Sequence, residues 1–199
     1  MDNCAPVTAV TNLDPSCNAL RKRGGASKTF YILALSQLLA AAPVVLDPAT
    51  KELTSLAFKD GEKLKKFTGR KLKNSTKTGM EQTNNGPSYT HGGAFVAYFD
   101  SQAEKESIEN LALADDLVII VPLNSGHFEA HGLISTYGLA DGLVLTIPEG
   151  GSGVQYEDDT TLTLNFDGKS DKLPVYCKFG ADQAASIAYL ESLVAGVIV

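Results

Sequence analysis

Tryptophan is absent from the 199 residues, methionine occurs twice and histidine three times. The three cysteines, Cys4, Cys17 and Cys177, are an odd number and form no CxxC pair. That pattern argues against a disulfide framework or a cysteine-based zinc site. A Cys4–Cys17 pair stays open, and reduced thiols are the expectation. Long apolar runs are missing too. The longest, Phe30–Leu39, is interrupted by Ser36 and Gln37, well short of the ~20 residues that span a bilayer. The opening Met1-Asp2-Asn3 lacks the basic-then-apolar pattern of a secretion signal. The expected compartment is therefore a cytoplasm, or an assembly built in one, with no membrane partner. Hydrophobic residues make up 44% and charged residues 20%, enough apolar surface to offset chain entropy, so a folded globular chain is expected rather than disorder. Length favours one domain over two small ones.

Signatures of chemistry are also scarce. There is no GxSxG, HExxH, P-loop or EF-hand spacing. Gly150-Gly151-Ser152-Gly153 has no following lysine and no helix start to cradle a phosphate, so it reads as a flexible loop. In a strand, His127, Glu129 and His131 share one face, and two imidazoles with a carboxylate are a possible zinc set. Residues two apart on a strand more often just line a polar face. Asp115-Asp116 and Glu157-Asp158-Asp159 read as exposed acidic turns before they read as cation sites. No catalytic residue, cofactor or metal is assigned, and the expectation is a building block rather than an enzyme.

What the chain does have is short strands and turns. Residues 1–27 read as an extended arm, and residues 28–199 as one β-sandwich or barrel domain. Strands are expected at 28–35, 94–99, 117–123, 127–134, 143–147, 160–166 and 173–179, with a turn at Asp167-Gly168. Residues 74–93, rich in Asn, Thr and Gly, read as a loop. The clearest helix starts at the capping box Ser101-Gln-Ala-Glu104 and carries Ile108, Leu111 and Ala112 as a stripe. A short helix closes the chain at 184–194. Asp60-Gly61, flanked by Leu56, Phe58, Leu64 and Phe67, predicts a long β-hairpin over about 51–77. The fold class is mainly β (α+β): an antiparallel β-sandwich or barrel with one flanking α-helix, a long hairpin and an N-terminal arm.

Charge is segregated along the chain. Residues 51–77 hold nine basic and three acidic residues, whereas residues 78–199 hold four basic and seventeen acidic. A nucleic-acid-binding module using the 51–77 segment is one reading, and predicts steeply salt-sensitive binding. The net charge of −6 and the lack of aromatics interleaved with the lysines weigh against it. The other reading is a basic element that docks on an acidic surface of a second copy, a head-to-tail contact that closes into rings or extends into filaments.

One resemblance agrees with the second reading. Gly92-Gly-Ala-Phe-Val-Ala-Tyr-Phe99 leads into the helix 102–113. Asp116-Leu-Val-Ile-Ile-Val-Pro122 follows, then Gly126-His-Phe-Glu-Ala-His-Gly-Leu133. Asp141-Gly-Leu143, Ser152-Gly-Val154, Asp158-Asp159, Leu162-Thr-Leu164 and Pro174-Val175 complete the order. From about residue 88 onward this order resembles the tail tube proteins of tailed bacteriophages. The start, from Cys17 through Gly24-Gly25 to Phe30-Tyr-Ile, is similar to that of some of them. The run Leu38-Leu39-Ala-Ala-Ala-Pro43 departs from the pattern.

The resemblance implies a subunit whose sheets join edge to edge in a ring of six, the rings stacking into a conduit through which DNA passes without specific binding. Other tail proteins are the implied further partners, and the virion tail, assembled in the host cytoplasm, the implied location. In such a tube the arm and the lysine-rich hairpin become contacts between rings, with Lys63, Lys65, Lys66, Arg70, Lys71 and Lys73 expected to meet acids on the next ring. An acidic channel wall is expected to repel phosphates. A head–tail connector or tail-terminator ring protein is the alternative within the virion.

Overall fold

The computed structural model describes residues 25–40, 44–69, 73–84, 86–98, 101–133, 142–151 and 161–196. Among the described residues, eleven strands and two α-helices follow one another: β1 (Thr29–Ala34), β2 (Val44–Leu46), β3 (Leu53–Leu56), β4 (Lys65–Thr68), β5 (Ser75–Thr83), β6 (Gly86–Tyr98), α1 (Gln102–Leu113), β7 (Leu117–Pro122), β8 (Phe128–His131), β9 (Val144–Gly151), β10 (Thr161–Ser170), β11 (Val175–Cys177) and α2 (Gln183–Ala195). The chain is thus mainly β, a curled seven-stranded sheet in the order β2-β3-β11-β8-β7-β1-β4 stacked on a four-stranded sheet in the order β5-β6-β10-β9. All neighbours are antiparallel except β3 and β11.

The seven-stranded sheet is covered on both faces, which explains why Leu117–Pro122 reads as an unbroken apolar run with every residue buried. Along β1 and β7, Tyr31, Leu33, Val118 and Ile120 face a core closed by Leu190 and Leu193 of α2. Phe30, Ile32, Leu117, Ile119 and Val121 face the second core, against Phe95, Leu164 and Phe166 of the four-stranded sheet. Helix α1 packs beside β9 and contributes Ile108 to this second core. Its N-terminus is the expected capping box: Ser101 Oγ accepts from the Glu104 N–H, and the Glu104 carboxylate accepts from the Ser101 N–H. Helix α2 is capped by Asp182, which accepts from the Ala185 N–H at 2.7 Å, and stops at Gly196 with φ 80°.

The two sheets are stitched on both sides. Gly69, just after β4, bridges Ala97 of β6, and its N–H donates to the Lys28 carbonyl at 2.7 Å. Leu143, just before β9, exchanges bonds of 2.7 and 3.0 Å with Leu117. Buried Asn74 reinforces the first stitch, donating to the Ser27 carbonyl and accepting from the Val96 N–H.

Several expectations are corrected. The segment 51–77 is no hairpin. Asp60-Gly61 does turn the chain, with Gly61 at φ 82°, but β3 lies between β2 and β11 while β4 is the far edge beside β1. Leu56, Phe58 and Leu64 are buried in the core under α2, whereas Phe67 stacks on Phe30 in the other core. These apolar residues anchor separate places rather than one face of a ribbon. The long hairpin is β5–β6, within the stretch read as a loop and turned between Thr83 and Gly86. Strand β6 runs thirteen residues, not six. Asp167-Gly168 stays within β10, opposite Gly92 and His91, and Gly150-Gly151 belongs to β9. Both expected helices are present, the closing one running Gln183–Ala195. Most of the arm, with Cys4 and Cys17, lies outside the described residues, as do Arg70, Lys71, Ser152, Gly153 and Glu157–Asp159.

Candidate assembly surface

The predicted basic residues separate into two groups. Lys63 donates to the Ala195 carbonyl at 3.2 Å, placing its charge at the C-terminal end of α2. Lys66 pairs with Glu191 of α2 at 2.7 Å, and the same carboxylate oxygen accepts from the Tyr31 hydroxyl at 2.9 Å. The Lys66 bond, with Tyr31 adding to it, holds the Glu191 carboxyl below the usual carboxylate range. Burial, then Glu191, push the Tyr31 hydroxyl up, so it stays a neutral donor. Both lysines thus serve the junction between α2 and the sheet. This junction borders a cleft of about 370 Å³ whose wall includes Thr29, Asn124, Gln183 and Ile187. Lys65 and Lys73 are exposed. Lys65 stands opposite Ile32 on the face of β4 turned toward the four-stranded sheet, and Lys73 precedes β5. Exposed Lys28, just before β1, bonds Gly69 through its carbonyl, while Lys65 lies four residues earlier along β4.

The opposite side of the sandwich is acidic. On α1, Glu106, Glu109 and Leu113 fall at i, i+3 and i+7, turned away from buried Ile108. All three are exposed, Leu113 to 85%. Asp115 adds a further exposed carboxylate.

Sheet edges follow the same two sides. Among the described residues, strand β5 has a neighbour only in β6, and β9 only in β10 beyond the Leu117–Leu143 bridge. The outward face of the four-stranded sheet is balanced rather than acidic. Lys77 lies 3.9 Å from Asp167 and Lys169 lies 3.2 Å from Glu81, among Thr90, Thr163 and Asn165.

The histidines occupy a different place. His91 and His131 are each 1% exposed, with ring centroids 5.8 Å apart. His91 Nε2 donates to the Lys172 carbonyl at 2.6 Å and Nδ1 accepts from the Gly132 N–H at 3.3 Å, a pairing that only the neutral ring satisfies. His131 Nε2 donates to Glu129 at 3.1 Å, while its buried Nδ1 has no hydrogen-bond partner among the described residues. His127 stands against the Tyr176 ring, centroids 5.5 Å apart, rather than beside the other two. Among the described residues no group of three His, Cys, Asp or Glu side chains is placed to hold a metal. Cys177 is buried, and burial raises its thiol well above the usual range. No helix among the described residues is long and apolar enough to cross a membrane.

The His91 geometry gives a pH prediction. Burial is the main cause holding its imidazole below the usual range, with His131 adding to it. The unfolded chain takes up the proton near the ordinary value of about 6.5. Stability from neutral His91 is therefore complete above that pH and is lost as pH falls through the lower folded value. The melting temperature is expected to begin falling below pH ~6.5. His91→Gln is expected to flatten that part of the profile, leaving the carboxylate-driven loss below about pH 4. A wild-type melting temperature constant from pH 7 to 5 contradicts this.

Compared with family models, with curated proteins and with solved structures, the chain finds no match in any of the three.

Proposed function

We propose that this chain is a virion structural protein, the subunit of a phage tail tube, which joins copies of itself head to tail into rings that stack around a DNA conduit. The observation that carries the reading is the direction of the open edges. In an antiparallel sheet of four strands, β5 and β9 run in opposite directions. A second copy placing its β5 beside β9 therefore continues the antiparallel alternation, and repetition closes a ring in which neither edge of the four-stranded sheet is left as a template for uncontrolled pairing. An even number of strands per subunit is what such closure needs.

The channel wall in this reading is the outward face of the four-stranded sheet. Its ion pairs cancel, and hydroxyl and amide groups fill much of the space between them. Such a wall neither attracts phosphates nor offers a row of aromatic platforms for bases, so a passing duplex slides by neutrality. The acidic balance of residues 78–199 falls in part on α1, outside this wall. Contact between rings falls to the β5–β6 hairpin, whose exposed residues 81–83 run past the end of β10. The order of features from residue 88 onward, similar to tube subunits, supports the same reading.

Negative-stain electron microscopy over a concentration series tests it. Stacked rings or tubes with a central channel are expected. Closed single rings that never stack replace the tube by a connector or terminator, and a monomer at every concentration overturns self-assembly.

A further inference from the structure

The two sides that meet in a head-to-tail ring carry opposite charge. We infer that the ring contact is an electrostatic clamp in which helix α1 of one copy, through Glu106 and Glu109, docks on the basic edge formed by Lys28, Lys65 and Lys73 of the next, with Leu113 as its apolar anchor. The inference rests on the ring reading above, and the occupant of each surface is a second copy of this chain.

Three observations support it independently of the resemblance. The basic residues lie on or next to β4 and β5, the side of the sandwich where both sheets end and the Gly69–Ala97 bridge joins them. The acids lie on the helix packed beside β9, the opposite edge of the same sheet. Pairing β9 with the neighbour's β5 therefore brings α1 to the neighbour's β4 edge without further rearrangement. Finally, Leu113, a large apolar side chain at the end of α1, is 85% exposed, whereas Ile108 of the same helix is buried, so among the described residues little covers it. Next to a lysine-rich edge it has the aliphatic stems of Lys65 and Lys73 to cover it. The clamp also gives the contact a direction. Two basic edges, or two acidic helices, repel when brought together, so head-to-head pairing is excluded and rings grow in one sense.

The test uses two full-length variants, one with Lys65→Glu and Lys73→Glu, the other with Glu106→Lys and Glu109→Lys. The first presents acid on both sides and the second base on both. Neither is expected to form rings at a concentration where the wild type does. An equimolar mixture is expected to restore them, since every junction in an alternating ring then joins opposite charges. Far-ultraviolet circular dichroism and melting curves establish that each variant is folded, and wild-type rings are expected to weaken in 1 M salt, where screening acts within about 3 Å. Variants that each assemble like the wild type overturn the clamp and leave the tube reading standing. Variants that fail alone and also fail when mixed overturn the pairing of these two surfaces. A wild type that never assembles overturns the ring reading and the clamp with it.

Discussion

Phe30→Ala is expected to cost about 3–5 kcal/mol, the range for removing a fully buried phenylalanine. Phe30 is 0% exposed and sits where the two sheets meet. Its ring lies 5.5 Å from Phe67 of β4 and 4.4 Å from Phe95 of β6. Both neighbours are held by strand pairing and cannot close the gap without moving β4, the edge of one sheet, or β6, which is paired on both sides. The penalty therefore includes an unfilled cavity as well as lost transfer energy. For a chain of this size the melting temperature is expected to fall by roughly 10–15 °C. Phe30→Leu keeps most of the volume and is expected to cost less, about 1.5 kcal/mol. Leu113→Ala is the surface control, with no stability change beyond about 0.5 kcal/mol. Thermal melts of the three variants decide it. A Phe30→Ala protein that melts with the wild type means the aromatic contact does not hold the sheets together.

The parts of this fold legible in the sequence are those fixed by neighbours in the chain. The Ser101–Glu104 capping box sets the start of α1 locally. The apolar runs in β1 and β7 are signals of burial that need no knowledge of the partner strand. The hairpin at 51–77 misleads because a turn dipeptide with flanking apolar residues specifies a reversal, not which strands pair afterwards. After Gly61 the Leu64 N–H donates to the Leu193 carbonyl of α2, and the chain is carried to the far edge of the sheet. Strand β5 is hidden for the opposite reason. It is an outer strand, nearly all exposed, with threonine, lysine and glutamate on its faces, so no apolar alternation marks it. The Asn85-Gly86 dipeptide was the available signal.

The same division applies to the candidate surface. Segregated charge is visible from composition, yet which lysines are left to meet a partner depends on residues far along the chain. Lys66 is taken up by Glu191 and Lys63 by the Ala195 carbonyl. The acids that matter for the clamp are spaced by helical geometry, which the capping box made predictable. Their position beside β9 is set by strand order, which was not.

Gly92→Ala is expected to destabilise the four-stranded sheet by about 3 kcal/mol, at the upper end of overpacking penalties. Gly92 sits in the middle of β6 with β5 on one side and β10 on the other. A β-carbon built there falls 2.2 Å from the Phe166 carbonyl oxygen and 3.2 Å from Asp167 Oδ1. The first obstacle is backbone, so no rotamer change relieves it, and β10 has to shift. That shift is opposed because β6 is paired on both sides, with β5 and with β10, each along most of its length. Gly79, in β5, supplies the control. Its added methyl meets only the Thr90 side chain at 3.7 Å, an ordinary contact, and its backbone is not left-handed. Gly79→Ala is expected to stay within about 0.5 kcal/mol of the wild type. The melting temperature of Gly92→Ala is expected to drop by roughly 5–10 °C. If the outward face of this sheet is the channel wall and its edges are the ring joints, Gly92→Ala also raises the concentration needed for rings while Gly79→Ala leaves it unchanged. Equal stability of the two variants refutes the close approach of β6 and β10. Unequal stability with equal assembly separates the packing of the sheet from the joining of its edges.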